Sequence, residues 1–178
     1  SQSIKLKYFP ELENKTLIKY LQIDHVGEYS ISTPEDAKKI TKIITQQLIN
    51  LGKNLDNIII TDATAGVGGN TISFCKNFKH INAIEIDDDR FKYLIDNLKL
   101  YKLNNLSFFN CNFINIIENL NQDVIFIDPP WGGKDYKFLD NIELKISDIP
   151  LEDICVKLIY EKLANLLVLK LPFNYNLT

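Results

Sequence analysis

Cysteine is scarce in this chain and poorly placed for pairing. Cys75, Cys111 and Cys155 are odd in number and isolated, and no Cys-x-x-Cys pair occurs. That leaves no basis for a disulfide framework or a cysteine-held zinc site. No metal is expected, and a reducing intracellular compartment, cytoplasm or nucleus, is the natural expectation. No apolar run approaches the length that spans a bilayer, and no signal-peptide pattern opens the chain. A membrane partner is therefore not expected. Methionine is absent and serine stands at position 1, which suggests a processed or trimmed start. Positive charge is not in excess either. A net charge of −3 argues against a broad basic face that coats nucleic acid, though not against a grip on one nucleotide or a short RNA end. Up to Asn54 there are eight lysines against six acids, a balance of +2, so the remainder carries −5. A mildly basic start beside an acidic body can still orient a phosphate chain.

What is present is the mix of an ordinary globule. With 46% apolar and 24% charged residues, 178 residues suffice for one domain with a core that needs no staples. From Asp56 onward, short β-rich runs alternate with helical patterns. Ile58-Ile59-Ile60-Thr61, Ile81-Asn82-Ala83-Ile84, Leu106-Ser107-Phe108-Phe109, Val124 to Ile127 and Leu166-Leu167-Val168-Leu169 read as five strands. Between them, Phe91, Leu94, Ile95, Leu98 and Tyr101 recur at helical spacing, as do Leu151, Ile154, Cys155, Leu158 and Ile159. Such alternation predicts a parallel sheet covered on both faces, a doubly wound α/β domain. Upstream, Thr33-Pro34-Glu35-Asp36 is a helix start, with a hydroxyl cap, a proline in the first turn and acids at the positive end. The stripe Ile40, Ile43, Ile44, Leu48 and Leu51 then runs to Gly52. An earlier helix is expected over residues 10–21. The organisation expected is a helical extension over 1–54, packed on the ligand edge of a sheet domain over 55–178, in a chain that acts as a monomer.

Two segments carry chemistry. Thr61-Asp62-Ala63-Thr64-Ala65-Gly66-Val67-Gly68-Gly69-Asn70-Thr71 follows the first strand and leads into a helix. Its glycines permit a tight turn and close approach of a ligand. Glu85 ends the second strand about twenty residues on, where a carboxylate accepts both ribose hydroxyls. Gly-x-Gly-Gly is not the dinucleotide spacing, and Asp62 would repel a pyrophosphate. A ligand with a cationic end, such as the amino acid part of S-adenosylmethionine, fits better than NAD. The second segment is Asp128-Pro129-Pro130-Trp131-Gly132-Gly133, directly after the fourth strand. The prolines stop the sheet and fix the backbone. A carboxylate, a free carbonyl and a flat ring then meet at one place, suited to holding a planar, amino-bearing base. A strand-ending turn whose Trp plugs the core is the alternative that this turn alone leaves open.

Together these segments resemble the S-adenosylmethionine-dependent methyltransferases of the trimethylguanosine synthase type, which methylate guanine N2 of a 7-methylguanosine RNA cap. The similarity runs from about Gly27 to Asn174. Asp62 to Thr71 is similar to the family's glycine loop, Ala83-Ile84-Glu85-Ile86-Asp87 to its second strand end, and Tyr29 to Glu35 to the segment before its first helix. Trp131-Gly132-Gly133-Lys134-Asp135-Tyr136 matches its Trp-Gly-Gly-Pro-Asp-Tyr apart from Lys134. The resemblance implies a Rossmann-like class I methyltransferase fold, S-adenosyl-L-methionine as cofactor and 7-methylguanosine-capped RNA as partner. It implies that Thr33, Asp62, Ala63 and Gly66 surround the methionine moiety, that Glu85 holds the ribose, and that Asn112 and Phe113 border the adenine. Trp131 would stack on the guanine, with Tyr136 and Asn174 beside the substrate, and Asp128 and Pro129 would accept from the N2 amine. Cys111-Asn112-Phe113 replaces the family's Gly-Asp-Phe, though an asparagine carbonyl can still accept from the adenine amine. Leu171-Pro172-Phe173-Asn174 replaces Leu-Pro-Arg-Asn, so Lys170 or an N-terminal lysine would have to take over a phosphate contact, with Lys134 and Lys137 as further candidates. The family also continues past this point into a final helix and hairpin, so the domain is either minimal or lacks its C-terminal end. Two rival functions stand beside this one. One is amino-methylation of adenine N6, or of guanine N2 in ribosomal RNA. The other is a cap-binding module without catalysis.

Overall fold

The four residues of Val124–Ile127 are all buried, because their strand lies inside a parallel sheet covered on both faces. The computed structural model describes residues 1–177. Its strands are β1 (Ile59–Asp62), β2 (His80–Ile84), β3 (Leu106–Phe109), β4 (Val124–Ile127), the two-residue β5 (Lys145–Ile146) and β6 (Ile149–Pro150), and β7 (Leu166–Leu169). Five of them form one parallel sheet in the order β3-β2-β1-β4-β7, while β5 and β6 pair as a separate hairpin. Each strand expected from the sequence is present, with β1 one residue later than its apolar run. The helices are α1 (Gln2–Tyr8), α2 (His25–Ser30), α3 (Pro34–Asn50), α4 (Gly69–Asn77), α5 (Asp88–Leu100) and α6 (Leu151–Tyr160).

Period-two alternation sorts the strand residues onto two cores. Ile60, Ile81, Ala83, Val124 and Phe126 pack with Ile44, Leu48, Ile72, Phe74, Leu94 and Leu98 from α3, α4 and α5. Ile84, Ile125 and Ile127 face Leu151, Ile154 and Leu158 of α6 on the other side. A polar network lies between strands. The Thr61 hydroxyl donates to Gln122 Oε1 at 2.6 Å and accepts from Asn82 Nδ2 at 3.2 Å. Gln122 Nε2 in turn donates to the Ile117 and Leu163 carbonyls. Each of these buried donors therefore has a partner, which keeps the network from costing stability.

Thr33 caps α3 as its sequence predicts, accepting the Asp36 N–H at 3.2 Å. The buried stripe of α3 is rotated from the expected one. Ala37, Thr41, Ile44 and Leu48 face inward, while Ile43 and Leu51 are more than half exposed. Small residues let α3 approach α4 closely, and Thr41 Oγ1 sits 2.7 Å from Ser73 Oγ. The helix expected over 10–21 is a short 3₁₀ segment, Lys15–Tyr20, preceded by α1. Asn14 explains this difference: its side chain takes the Thr16 N–H at 3.1 Å and starts the turn there. The N-terminal segment is fixed to the sheet domain by buried Asn97. That side chain bonds the Gln22 N–H and carbonyl, each at 2.8 Å, and the Val67 carbonyl at 2.9 Å. His25 opens α2, and His80 opens β2, where its ring nitrogen pairs with Ser107 Oγ at 2.9 Å.

Candidate active site

β1 and β4 are adjacent, but the chain leaves them in opposite directions across the sheet, and this switch point opens a crevice at their carboxyl ends. A cleft of about 840 Å³ occupies it. The glycine loop forms the floor. Gly68 adopts φ +111, and a Cβ there would lie 2.7 Å from Leu98 Cδ2, so only glycine lets α5 pack under the loop. Gly69 is equally constrained, because its Cβ would meet Ile31 Cγ1 at 2.7 Å and the Ser32 carbonyl oxygen at 2.9 Å. The Val26–Ser32 segment is thereby held close over the loop and forms one side of the cleft.

Glu85 stands at the head of β2, 7% exposed, with its carboxylate fixed on both oxygens. Oε2 accepts the Gly66 N–H at 2.8 Å, Oε1 accepts the Asp87 N–H at 3.1 Å, and Arg90 Nε lies 3.7 Å away. Asn112 follows β3. Its Oδ1 takes the Ile114 N–H at 3.1 Å and its Nδ2 donates to Ser147 Oγ at 2.6 Å. That contact joins the cleft wall to the β5–β6 hairpin, whose turn residues Ser147 and Asp148 both have positive φ (49° and 64°). Phe113 is buried and contributes its ring to wall and core alike.

Opposite lies the turn after β4. The Asp128 N–H donates to Thr64 Oγ1 at 2.8 Å, which ties this turn to the glycine loop. Burial pushes the Asp128 carboxyl up to about 7, against a lowering pull from Lys170. Pro129 is buried, and its carbonyl accepts no hydrogen bond from the described residues. The Trp131 indole lines the cleft and is only half-buried, so it is not the plug of a core. Its N–H donates to the Lys170 carbonyl at 3.3 Å, and the Tyr136 ring meets it edge-on at 5.1 Å.

The fold thus brings Ala63, Gly66, Glu85, Asn112, Phe113, Asp128, Pro129, Trp131 and Tyr136 onto one cleft. Three residues expected there lie off its wall. Thr33 is used as the cap of α3, one residue past the cleft-lining Ser32. Asp62 is fully buried, accepting the Thr71 hydroxyl at 2.8 Å, and burial pushes its carboxyl up to about 7 with Asp128 and Glu85 adding repulsion. Asn174 is buried behind the wall and donates to the Tyr136 and Leu139 carbonyls at 2.7 and 2.8 Å, holding the turn that carries Tyr136. Thr64, Asn70, Arg90 and Ser147 also line the cleft, though the sequence reading did not single them out. Thr64 and Asn70 sat inside the recognised loop, whereas Arg90 and Ser147 gave no local signal. Phe173, where the resemblance leads one to expect arginine, is 79% exposed. Among the described residues no group of three or more His, Cys, Asp or Glu side chains is placed to hold a metal ion, and no helix is long and apolar enough to cross a membrane.

Strand order, glycine turn, acid at the second strand end and switch-point cleft define a Rossmann-like class I methyltransferase fold. The same architecture occurs in a protein of Porphyromonas gingivalis W83 described as a candidate methyltransferase. That crystal structure covers 81% of this chain and 32% of its own at TM-score 0.58 and 16% identity. Residues 57–178 match the family model of RNA cap guanine-N2 methyltransferases, and the chain belongs to that family. It is 36% identical to uncharacterized protein L320 of Acanthamoeba polyphaga mimivirus, over 98% of this chain and 75% of the viral one. It is 29% identical to trimethylguanosine synthase of Schizosaccharomyces pombe, over 64% of this chain and 47% of the yeast protein. The chain is accordingly a member of a nucleic-acid methyltransferase family, and it spans about half the length of the yeast relative.

Proposed function

We propose that the chain transfers methyl from S-adenosyl-L-methionine to the exocyclic N2 of 7-methylguanosine in an RNA 5′ cap, giving di- or trimethylguanosine. The observation that carries this reading is the shared cleft: Gly66 and Glu85 on one wall, Asp128, Pro129 and Trp131 on the other. Family membership and the yeast relative support the choice of substrate.

The residues present fit the cofactor. Gly66 has open space where its Cβ would be, so the loop backbone is accessible from the cleft. Asn70 Oδ1 is a buried acceptor on the cleft with no partner among the described residues, as a ligand with a cationic amine requires. Gly66, Asn70 and the Ala63–Ala65 backbone would hold its amino acid end, Glu85 its ribose, and Asn112 and Phe113 its adenine. When bound, it supplies a sulfonium-activated methyl group for in-line displacement.

The chain's own residues then have an alignment task. A guanine N2 lone pair is conjugated into the ring and has to be turned out of it. The Asp128 carboxylate and the free Pro129 carbonyl accept its two N–H groups and do that. A carboxyl that titrates near 7 can also take the proton released as the new bond forms. Trp131 offers the ring face that favours a cationic base, worth roughly 0.5–2 kcal/mol beyond stacking. A labelled-methyl assay on 7-methylguanosine diphosphate, guanosine diphosphate and adenosine nucleotides tests the reading. Incorporation into the 7-methylated nucleotide, with mass analysis locating it on N2, is the expected result. Preference for adenosine or unmethylated guanosine would overturn it in favour of another nucleic-acid amino-methyltransferase. S-adenosylmethionine binding by calorimetry separates either enzyme from a non-catalytic cap-binding module.

A further inference from the structure

Lys170 is the first residue past β7 and is held from several sides. Its N–H donates to the Ile127 carbonyl at 3.0 Å and its carbonyl accepts the Trp131 indole N–H at 3.3 Å, so its backbone clasps both ends of the 128–131 turn. Its ammonium donates to Ser32 Oγ at 3.0 Å and lies 5.6 Å from the centre of the Trp131 ring. Ser32 is 2% exposed and also accepts Asn70 Nδ2 at 3.0 Å. The other cations on the cleft are engaged elsewhere or further out. Arg90 is shared among Asp24, Glu85 and Asp87, Lys134 sits 4.1 Å over the Tyr29 ring, Lys137 lies 5.9 Å from the Tyr136 ring, and Lys145 is on the hairpin.

We propose that Lys170 is a positioning residue for the methyl transfer proposed above: from the end of β7 its side chain sets the Asp128 carboxyl, the Trp131 indole and the Ser32 hydroxyl in fixed relation. The inference rests on that reading for its effect on turnover, but its effect on Asp128 is measurable without it. Asp128 and Lys170 each follow a register partner of the β4–β7 pair, Ile127 and Leu169, so they stand at neighbouring strand ends; no ion pair joins them among the described residues, and the charge acts from beside the carboxyl. The charged groups around Asp128 come from every neighbouring element. Asp62 at the end of β1 and Glu85 at the end of β2 are negative when ionised, and Lys134 and Lys137 follow on the same turn. Lys170 is the positive group that lowers the Asp128 titration, against the burial that raises it. Without it, the carboxylate that accepts from the substrate amine would form only at higher pH.

The test compares K170M, K170R and S32A with the wild type in two measurements. One is the pH profile of kcat on 7-methylguanosine diphosphate. The other is the carboxyl ¹³C titration of Asp128 in ligand-free protein labelled at aspartate. K170M is expected to move the acid limb of kcat and the Asp128 titration upward together by roughly one pH unit, the order for a unit charge beyond ion-pair distance in a partly solvated site. K170R is expected to keep both in place, and S32A to move them less than K170M. S-adenosylmethionine affinity should hold within a few-fold in K170M and K170R. A K170M protein with lower kcat at every pH but an unmoved limb and titration would overturn the proposal, as would K170R shifting as far as K170M. K170Q serves for the same measurements where K170M does not fold. A wild type that methylates none of the nucleotides would refute the functional reading, while the ¹³C titration would still decide the role of Lys170.

Discussion

Replacing Asp128 by asparagine keeps the shape of the side chain, removes its charge, and separates what the residue costs from what it does. The carboxyl titrates at about 7 in the fold against an ordinary 3.8. Between those two values the folded chain carries a proton that the unfolded chain has released. Stability therefore falls as pH rises through that window and stays at its reduced level above it. A displacement of about 3 pH units corresponds to about 4 kcal/mol at 1.36 kcal/mol per unit, a ceiling that relaxation around the ion lowers to about 2 kcal/mol. At pH 8 the D128N protein should then melt roughly 4–8 °C above the wild type, given about 2–4 °C per kcal/mol for a chain of this size. Toward pH 4 that advantage should shrink steadily, and only below 3.8 should the two melt together. In the same preparation, methyl transfer to 7-methylguanosine diphosphate should fall by about 10²- to 10⁴-fold. Thermal melts across pH 4–8 and single-turnover rates give both quantities. A melting advantage that is the same at every pH, or a loss of stability at pH 8, would refute the burial argument. An unchanged single-turnover rate would remove Asp128 from the reaction.

Three further outcomes follow from the same geometry. W131A should weaken 7-methylguanosine diphosphate binding at least about tenfold and erase its preference over guanosine diphosphate, with S-adenosylmethionine affinity kept, as calorimetry would register. Glu85→Ala strips the Gly66 N–H of its acceptor. It should cut S-adenosylmethionine affinity at least about tenfold while leaving cap-analogue binding intact in equilibrium dialysis. Gly69→Ala places a methyl 2.9 Å from the Ser32 carbonyl oxygen. It should cost about 1–3 kcal/mol in urea melts, because backbone rather than a flexible side-chain end has to move.

Much of the sheet was legible because each strand is a short run rich in β-branched, leucine or aromatic side chains, and burial on both faces makes such runs nearly unbroken. The loop and Glu85 were legible through their spacing, and the turn after β4 through its prolines. Depth was not legible. Asp62 and Glu85 both end strands, yet Asp62 is closed off by Thr71 while Glu85 is turned to the cleft. Nothing local in the sequence distinguishes them. Asn174 was expected at the substrate and instead braces the Tyr136 turn, a relation set by chain distant from both residues. The β5–β6 hairpin escaped because its turn uses Ser147 and Asp148 at positive φ without glycine, so the usual signal is missing. The α3 stripe was misplaced because hydrophobicity favoured Ile43 and Leu51, whereas close packing on α4 selected Ala37 and Thr41.

Two carboxyls that ionise only near neutrality, within one small chain of net charge −3, are a concentrated liability. Ordinary packing would have placed apolar residues at both positions. Burial of the side chains in the two cores on either side of the sheet opposes that cost. What the liability gives is a matched pair of walls. Asp62 is repelled by Asp128 and Glu85, so a cationic ligand in the cleft relieves the strain on all three acids. Thr64 binds the Asp128 N–H from within the glycine loop, so a ligand that settles the loop would also settle the turn proposed to receive the base. On the proposed reading, donor and acceptor sites are thus coupled through one hydroxyl. Removing it by Thr64→Ala should loosen cap-analogue binding more in the presence of S-adenosylmethionine than in its absence, a dependence that two independent walls would not produce.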